Sequence, residues 1–338
     1  MGDLAGARGR SLAAVLPAAV AVLILGAPSL LYPFGRDQGE YAYIASAALQ
    51  GQVVYRDVFN VKPPLTHLVH ELALVLFGHT MLSIRILDLI WQAATAVVIL
   101  LIAQRLTGQR RVGVLAALIY ATLYYTFGYW DTAQTDGFLN LPTALAVLAF
   151  QVACHQWWWA SLACGVALGI AVLFKYPIGA LLPLLAFVAL RSRGRAGVPQ
   201  VFVLGLGFGL PLAICGAALA WQGALHDFMF IQLRYIPDYT SNHNRASYLV
   251  DIVQHLSLFR WHMIALVLSA AALTVEVAYA ARRESRRRVF LLAVWWLAAL
   301  VSLVFQNKNA PYHALPLTAP DGGVLAVLLL GSAQGELM

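Results

Sequence analysis

Long runs without a charge constrain this chain more than any other feature. Its apolar residues stand in uncharged blocks of roughly 14 to 24 positions, and about 20 helical residues cross ~30 Å of hydrocarbon. The chain is 61% hydrophobic and only 11% charged, whereas water-facing domains carry charge on about a quarter of their residues. Too little polar surface remains for a soluble fold. The expected class is all-α, a polytopic transmembrane helical bundle. A backbone in lipid must satisfy its own hydrogen bonds, and no strand alternation of the transmembrane-barrel kind is present.

Ten spans are expected, at 12–31, 87–103, 112–127, 138–154, 157–174, 177–190, 199–221, 263–281, 289–305 and 315–330. Alternate connections hold Arg8 and Arg10; Arg105, Arg110 and Arg111; Arg191, Arg193 and Arg195; and Arg282, Arg283, Arg286, Arg287 and Arg288, with Glu284 as the sole carboxylate among them. Basic residues in short connections stay on the cytoplasmic side. Ten spans place every one of these clusters there, with both termini inside. The net charge of +7 thus reads as membrane orientation rather than affinity for nucleic acid. A cleavable signal peptide is the competing reading of the first block, but its apolar run is long for a signal core. Cys154, Cys164 and Cys215 all fall inside apolar blocks, which suggests packing residues rather than disulfides or thiolate ligands.

Segments 32–82, 129–137 and 222–262 then face outward. They carry Asp37, Glu40, Asp57, Glu71, Asp131, Asp136, Asp227, Asp238 and Asp251, mixed with Arg36, Arg56, Lys62, Arg234, Arg245 and Arg260. Chemistry is expected on that side. Within the first segment, 38–49 and 65–77 can form short amphipathic helices along the membrane surface, with Pro63 and Pro64 setting the start of the second. The whole of 1–338 reads as a single membrane domain with no soluble C-terminal domain.

Five places could carry chemistry. Asp37, Glu40 and Tyr41 share a helical face, where a carboxylate could act as general base toward a hydroxyl; the alternative is a capping box. Arg56 and Lys62, beside the Pro63-Pro64 corner, could clamp a phosphate or simply snorkel to headgroups. Lys175 lies between two apolar spans, so it either reaches an interface or meets an anion. Asp136 is a candidate site carboxylate or the N-cap of the fourth span. His67, His70 and Glu71 could be read as a metal site, though a partly wet amphipathic face explains them more simply.

The run Asp37…Glu40-Tyr41-Ala42-Tyr43-Ile44-Ala45, Gly51…Tyr55-Arg56-Asp57…Lys62-Pro63-Pro64-Leu65, Phe77-Gly78 and Arg85 resembles the first outer loop of the polyprenyl-phosphate-sugar-dependent glycosyltransferases of GT-C type, the protein O-mannosyltransferase and aminoarabinose transferase group. Thr135-Asp136, Lys175-Tyr176-Pro177 and the segment 306–320 are similar to later motifs of that family, in the same order and on the same side. Two departures stand out. Gln38 occupies a place where the family often has Glu, which weakens any metal role there, and Tyr312-His313 reverses the family's His-Tyr.

The resemblance implies an inverting membrane glycosyltransferase. It would move a sugar, hexosyl or pentosyl, from a polyprenyl-phosphate carrier to an acceptor hydroxyl on lipid, polysaccharide or protein, at the outer face of a bacterial plasma membrane. Asp37 would be the base, with Glu40 and Asp136 orienting the acceptor or helping to hold a divalent cation, Mg or Mn. Arg56, Lys62, Lys175, Lys308 and His313 would meet the lipid phosphate and donor. A transporter or flippase for a lipid-linked or anionic solute is the alternative, and a scaffold that keeps the fold without activity is a third reading.

Overall fold

The computed structural model describes residues 15–153, 157–241, 260–279, 283–306 and 310–331. Arg8, Arg10, Cys154, Arg245, Asp251, Arg282 and Lys308 lie outside the described residues. Helix follows helix, and no strand occurs among the described residues.

α1 (Val15–Leu31) stops where Tyr32 turns extended ahead of Pro33, because the proline ring disfavours a helical residue before it. The chain then bends by 86° into α2 (Arg36–Leu49), whose N-cap is Gly35. α3 (Pro64–Phe77) starts with Pro64 in its first turn, after an extended Pro63, and ends at Gly78 with φ +87°. These are the two short helices expected near 38–49 and 65–77, and they pack on each other. α4 (Met81–Thr107) is capped by the Thr80 side chain, which accepts from the Ser83 N–H, and is stopped by left-handed Gly108. α5 (Arg110–Tyr125) returns antiparallel to it.

Two single helical turns, Gly128–Asp131 and Thr135–Phe138, lead into α6 (Asn140–Ala153). α7 (Trp157–Val172), α8 (Leu181–Arg193) and α9 (Val198–Trp221) follow, and a helical stretch continues from 225 to 241. α10 (Arg260–Tyr279), α11 (Arg283–Phe305) and α12 (Leu315–Ala326) complete the bundle.

By length and apolar composition, four described stretches can cross a membrane: Met81–Thr107, Thr135–Ala153, Tyr176–Trp221 and Pro311–Leu330. The bent pair α1 and α2, taken as one span, makes five. The described helices therefore do not establish ten spans. Trp158–Val172, Ile264–Val275 and Phe290–Phe305 are apolar but only 10–17 residues long, and α5 has 16 residues with two arginines at its start. Tyr176–Trp221, in contrast, holds two of the expected spans, since Gly194 at φ +58° separates α8 from α9.

The bundle is drawn together by small residues as well as large ones. α7 and α9 cross at Gly165 and Gly207, where an added Cβ would collide with the Leu204 and Leu162 carbonyl oxygens respectively. Without hydrophobic drive between helices in lipid, such close backbone approach is a main source of association. Gly205, on the same α9, faces open space. Gly165→Ala is therefore expected to lower the thermal unfolding midpoint in detergent, at a cost of about 1–3 kcal/mol from overpacking. Gly205→Ala should leave the midpoint unchanged or raise it, since glycine within a helix costs roughly 0.5–1 kcal/mol relative to alanine; equal effects at both positions would refute the close crossing.

Candidate active site

Asp136 is fully buried, and a buried carboxylate must find donors or lose its charge. Its Oδ2 lies 3.0 Å from Lys175 Nζ and 3.5 Å from His313 Nδ1, and its Oδ1 accepts from Gln306 Nε2 at 3.1 Å. The N-cap of its turn is Gln134, so the capping reading of Asp136 gives way to a side chain turned inward. Lys175, in extended conformation between α7 and the turn Tyr176–Ala180, reaches the carboxylate with only 12% of its side chain exposed. The snorkelling reading of Lys175 therefore gives way to an ion pair.

A second cluster forms around the corner that precedes α3. Tyr55 takes a left-handed φ of 76°, which costs a non-glycine residue roughly 1–2 kcal/mol. Several bonds hold it: its N–H donates to Val58 O, and its hydroxyl donates to Lys62 O at 2.8 Å. Asn60 is buried, donates to Glu40 Oε1 at 2.5 Å and accepts from the Lys62 N–H at 2.7 Å. Glu40 thus grips the backbone of the corner through Asn60.

Lys62 is aimed by this arrangement between two aromatic rings, 5.7 Å from the centroid of Tyr41 and 5.3 Å from that of Tyr312. Burial works against its charge, but Tyr312 and the carboxylates of Asp136 and Asp37 outweigh it and hold the ammonium above the ordinary lysine value. Asp37 sits in the first turn of α2 rather than at its cap, with 15% of its side chain exposed and Arg36 Nε 3.4 Å away. Asp37, Lys62, Asp136, Lys175 and His313 are thereby brought into one electrostatic group.

Arg56 is not drawn into that group. Its Nε and one terminal nitrogen bind Asp57 at 2.9 Å each, and the other donates to Gln222 O at 2.9 Å. The Arg56 fork and the Val53 N–H together lower the Asp57 carboxyl to about 2. The pair ties the corner to the end of α9. His67 and His70 are buried against Tyr41, and burial pushes them down to about 3 and about 4. They are neutral packing rings rather than a wet face. Among the described residues no three His, Cys, Asp or Glu side chains are grouped to hold a metal ion, and the Asp136 oxygens already face Lys175 and Gln306.

Gln38, the departure from the family pattern, points away from Asp37 and is fully buried. Its Nε2 donates to the carbonyls of Tyr129, Trp130 and Thr132 at 3.2, 3.0 and 2.7 Å. Arg85, also fully buried, donates to Tyr129 O at 2.9 Å, to Pro33 O at 2.7 Å and to Thr132 Oγ1 at 3.1 Å. Below them Tyr124 donates to Asp88 Oδ1 at 2.7 Å and accepts from the Ala133 N–H.

Sequence reasoning missed Asn60, Gln306 and Asp88 as participants. An Asn two residues ahead of Lys62-Pro63 is a recognisable Asx-turn signal, and Asp88 inside an apolar span is a signal of the intramembrane kind. Gln306 gives no local sign of its role.

Comparison with known proteins adds to this geometry. Residues 61–221 match the family model described as dolichyl-phosphate-mannose-protein mannosyltransferase. Curated relatives include the undecaprenyl phosphate-alpha-4-amino-4-deoxy-L-arabinose arabinosyl transferases of Yersinia enterocolitica, 24% identical over 92% of this chain and 57% of that protein, and of Pectobacterium carotovorum, 26% identical over 92% and 59%. The crystal structure of ArnT from Cupriavidus metallidurans in the apo state superposes with a TM-score of 0.65 at 20% identity, covering 93% of this chain and 59% of that one. The chain thus spans under two thirds of the length of these proteins. Sequence and fold together show the resemblance to the GT-C-type polyprenyl-phosphate-sugar glycosyltransferases.

Removing one member of a buried ion pair leaves the other charge stranded, at about 3–5 kcal/mol. Asp136→Asn and Lys175→Met should each destabilise the protein on that scale, and the double variant should lose less than the sum of the two. Unfolding midpoints in mixed micelles test this; strictly additive losses would show that the two side chains do not act on each other.

Proposed function

We propose that this chain carries the catalytic centre of a membrane glycosyltransferase that moves a sugar from a polyprenyl-phosphate carrier to an acceptor hydroxyl, with inversion, at the outer face of a bacterial plasma membrane. The observation that carries the reading is Lys62. A half-buried ammonium, framed by Tyr41 and Tyr312 and within reach of two carboxylates, is suited to a ligand with a phosphate and a sugar.

Asp37 is the base. It takes the proton from the acceptor hydroxyl as that oxygen attacks the anomeric carbon. The bond from that carbon to the phosphate oxygen breaks, and the lipid phosphate leaves with the electron pair. Negative charge grows on the phosphate as it departs, so a fixed cation aimed there stabilises the transition state more than the ground state. Lys62 supplies that cation, and Lys175 adds positive potential from its place on Asp136. His313 and Gln306 hold Asp136, and Glu40 holds the Lys62 corner through Asn60. Arg56 supports the site from its bond to Asp57; Lys308 lies outside the described residues and stays a candidate for the phosphate.

The family model names a dolichyl-phosphate mannose donor and the curated relatives an undecaprenyl-phosphate aminoarabinose. Both are sugars on a polyprenyl phosphate, and that common class is the proposed donor. The relatives support a lipid-linked donor and do not favour the transporter reading. The arginine clusters that the sequence places in alternate connections support the outward orientation and cytoplasmic termini.

The test is transfer of label from radiolabelled polyprenyl-phosphate sugars to a native membrane extract, with protein in nanodiscs. Asp37→Asn should cost about 10²–10⁴-fold in rate, the range of a lost general base. Lys62→Met should cost about 10²–10³-fold through lost electrostatic stabilisation. Wild-type turnover in Asp37→Asn would end the assignment of the base, and label crossing the bilayer without a covalent product would make the protein a transporter.

A further inference from the structure

The two carboxylates of the site, Asp37 and Asp136, sit on separate elements: the first turn of α2 and the turn that follows the 129–132 loop. Something must set their separation. One hydrogen-bonded link from α2 to the loop that leads into Asp136 runs through Gln38, next to Asp37. Its two amide hydrogens are shared among the Tyr129, Trp130 and Thr132 carbonyls. Two of those carbonyls, Tyr129 and Thr132, also accept from Arg85, at 2.9 and 3.4 Å, so each receives one donor from either side.

The loop so gripped passes directly into Ala133, left-handed at φ 55° and tied to Tyr124 through its N–H, and then into Asp136. Gly35 makes room for the grip, since a Cβ there would come within 2.6 Å of Gln38 Oε1 and 3.3 Å of the Trp130 ring. Only a donor suits this place: three carbonyl oxygens converge on the amide nitrogen, and an acceptor turned toward them would be repelled.

We propose that Gln38 is a positioning residue, which holds the 129–132 loop by hydrogen-bond donation and thereby sets Asp136 and its paired Lys175 against Asp37 and Lys62. The inference rests on the transfer reaction proposed above. It makes the amide at position 38 a requirement of this chain, although the resembling family often carries an acid there.

Two variants test it in nanodiscs. Gln38→Glu keeps the shape and restores the family's acid but presents a carboxylate to the three carbonyls. Gln38→Met keeps the approximate volume with neither donor nor charge. The expected result is that both fold with lowered unfolding midpoints, Gln38→Glu at least as low as Gln38→Met. For both, kcat per folded molecule should fall about tenfold, the scale of one or two buried hydrogen bonds lost from a transition state, with KM for the polyprenyl-phosphate sugar within about twofold of wild type.

Full activity in Gln38→Glu would overturn the proposal, because shape or acidity would then be what matters. Lower midpoints with unchanged kcat would also overturn it and leave Gln38 a purely structural residue. If Gln38→Glu does not fold, Gln38→Met decides by the same kcat and KM comparison. Should wild type itself transfer no sugar, the proposed reaction fails and with it the positioning role; the midpoints then test the hydrogen-bond grip alone, which Gln38→Glu as stable as wild type would refute.

Discussion

A carboxylate with no access to water has to be matched by donors, and Asp136 recruits them from two separate connections of the chain. Lys175 comes from the turn between α7 and α8, and Gln306 and His313 come from the passage between α11 and α12. The desolvated charge is costly alone, and the surrounding donors offset that cost only in this geometry. The same group of residues therefore closes one end of the bundle and gathers the cations of the candidate site.

Around that centre, polar groups are arranged so that backbone carbonyls are shared between donors. Gln38 and Arg85 approach the 129–132 loop from two sides, and the Tyr124–Asp88–Gln92 network supports it from within the bundle. Such networks specify one arrangement because partial satisfaction is expensive in a low-dielectric interior. The corner at Tyr55 follows the same logic on a smaller scale. There the strained Tyr55 backbone is held by bonds to Val58 and Lys62, Asn60 accepts from the Lys62 N–H, and Lys62 emerges pointed at two aromatic rings. Strain of this kind persists where the surroundings over-determine it.

Much of this was legible in the residues themselves. α2 and α3 begin and end close to the expected positions because glycine and proline act through local sterics: Pro63-Pro64 starts α3 and Gly78 stops it. Asp37 and Tyr41, placed on one face by a helical spacing of four, do converge on Lys62. Other expectations changed on contact with the structure. Arg56, expected to clamp a phosphate, is closed on its neighbour Asp57. Gln38 looked like a lost acid and instead is a buried donor.

The sequence by itself determined the class of protein, because the cost of exposing charge-free runs of side chains to water is summed residue by residue. It also determined where helices break, through prolines and glycines whose backbone preferences act within a few positions. Only the tertiary structure decided which carboxylate meets which cation. Asp136 and Lys175 are 39 residues apart, Gln38 and Thr132 are 94, and Asp136 and Gln306 are 170. A side chain's hydrogen bonds depend on atoms that folding brings close, and no local rule of spacing reaches that far.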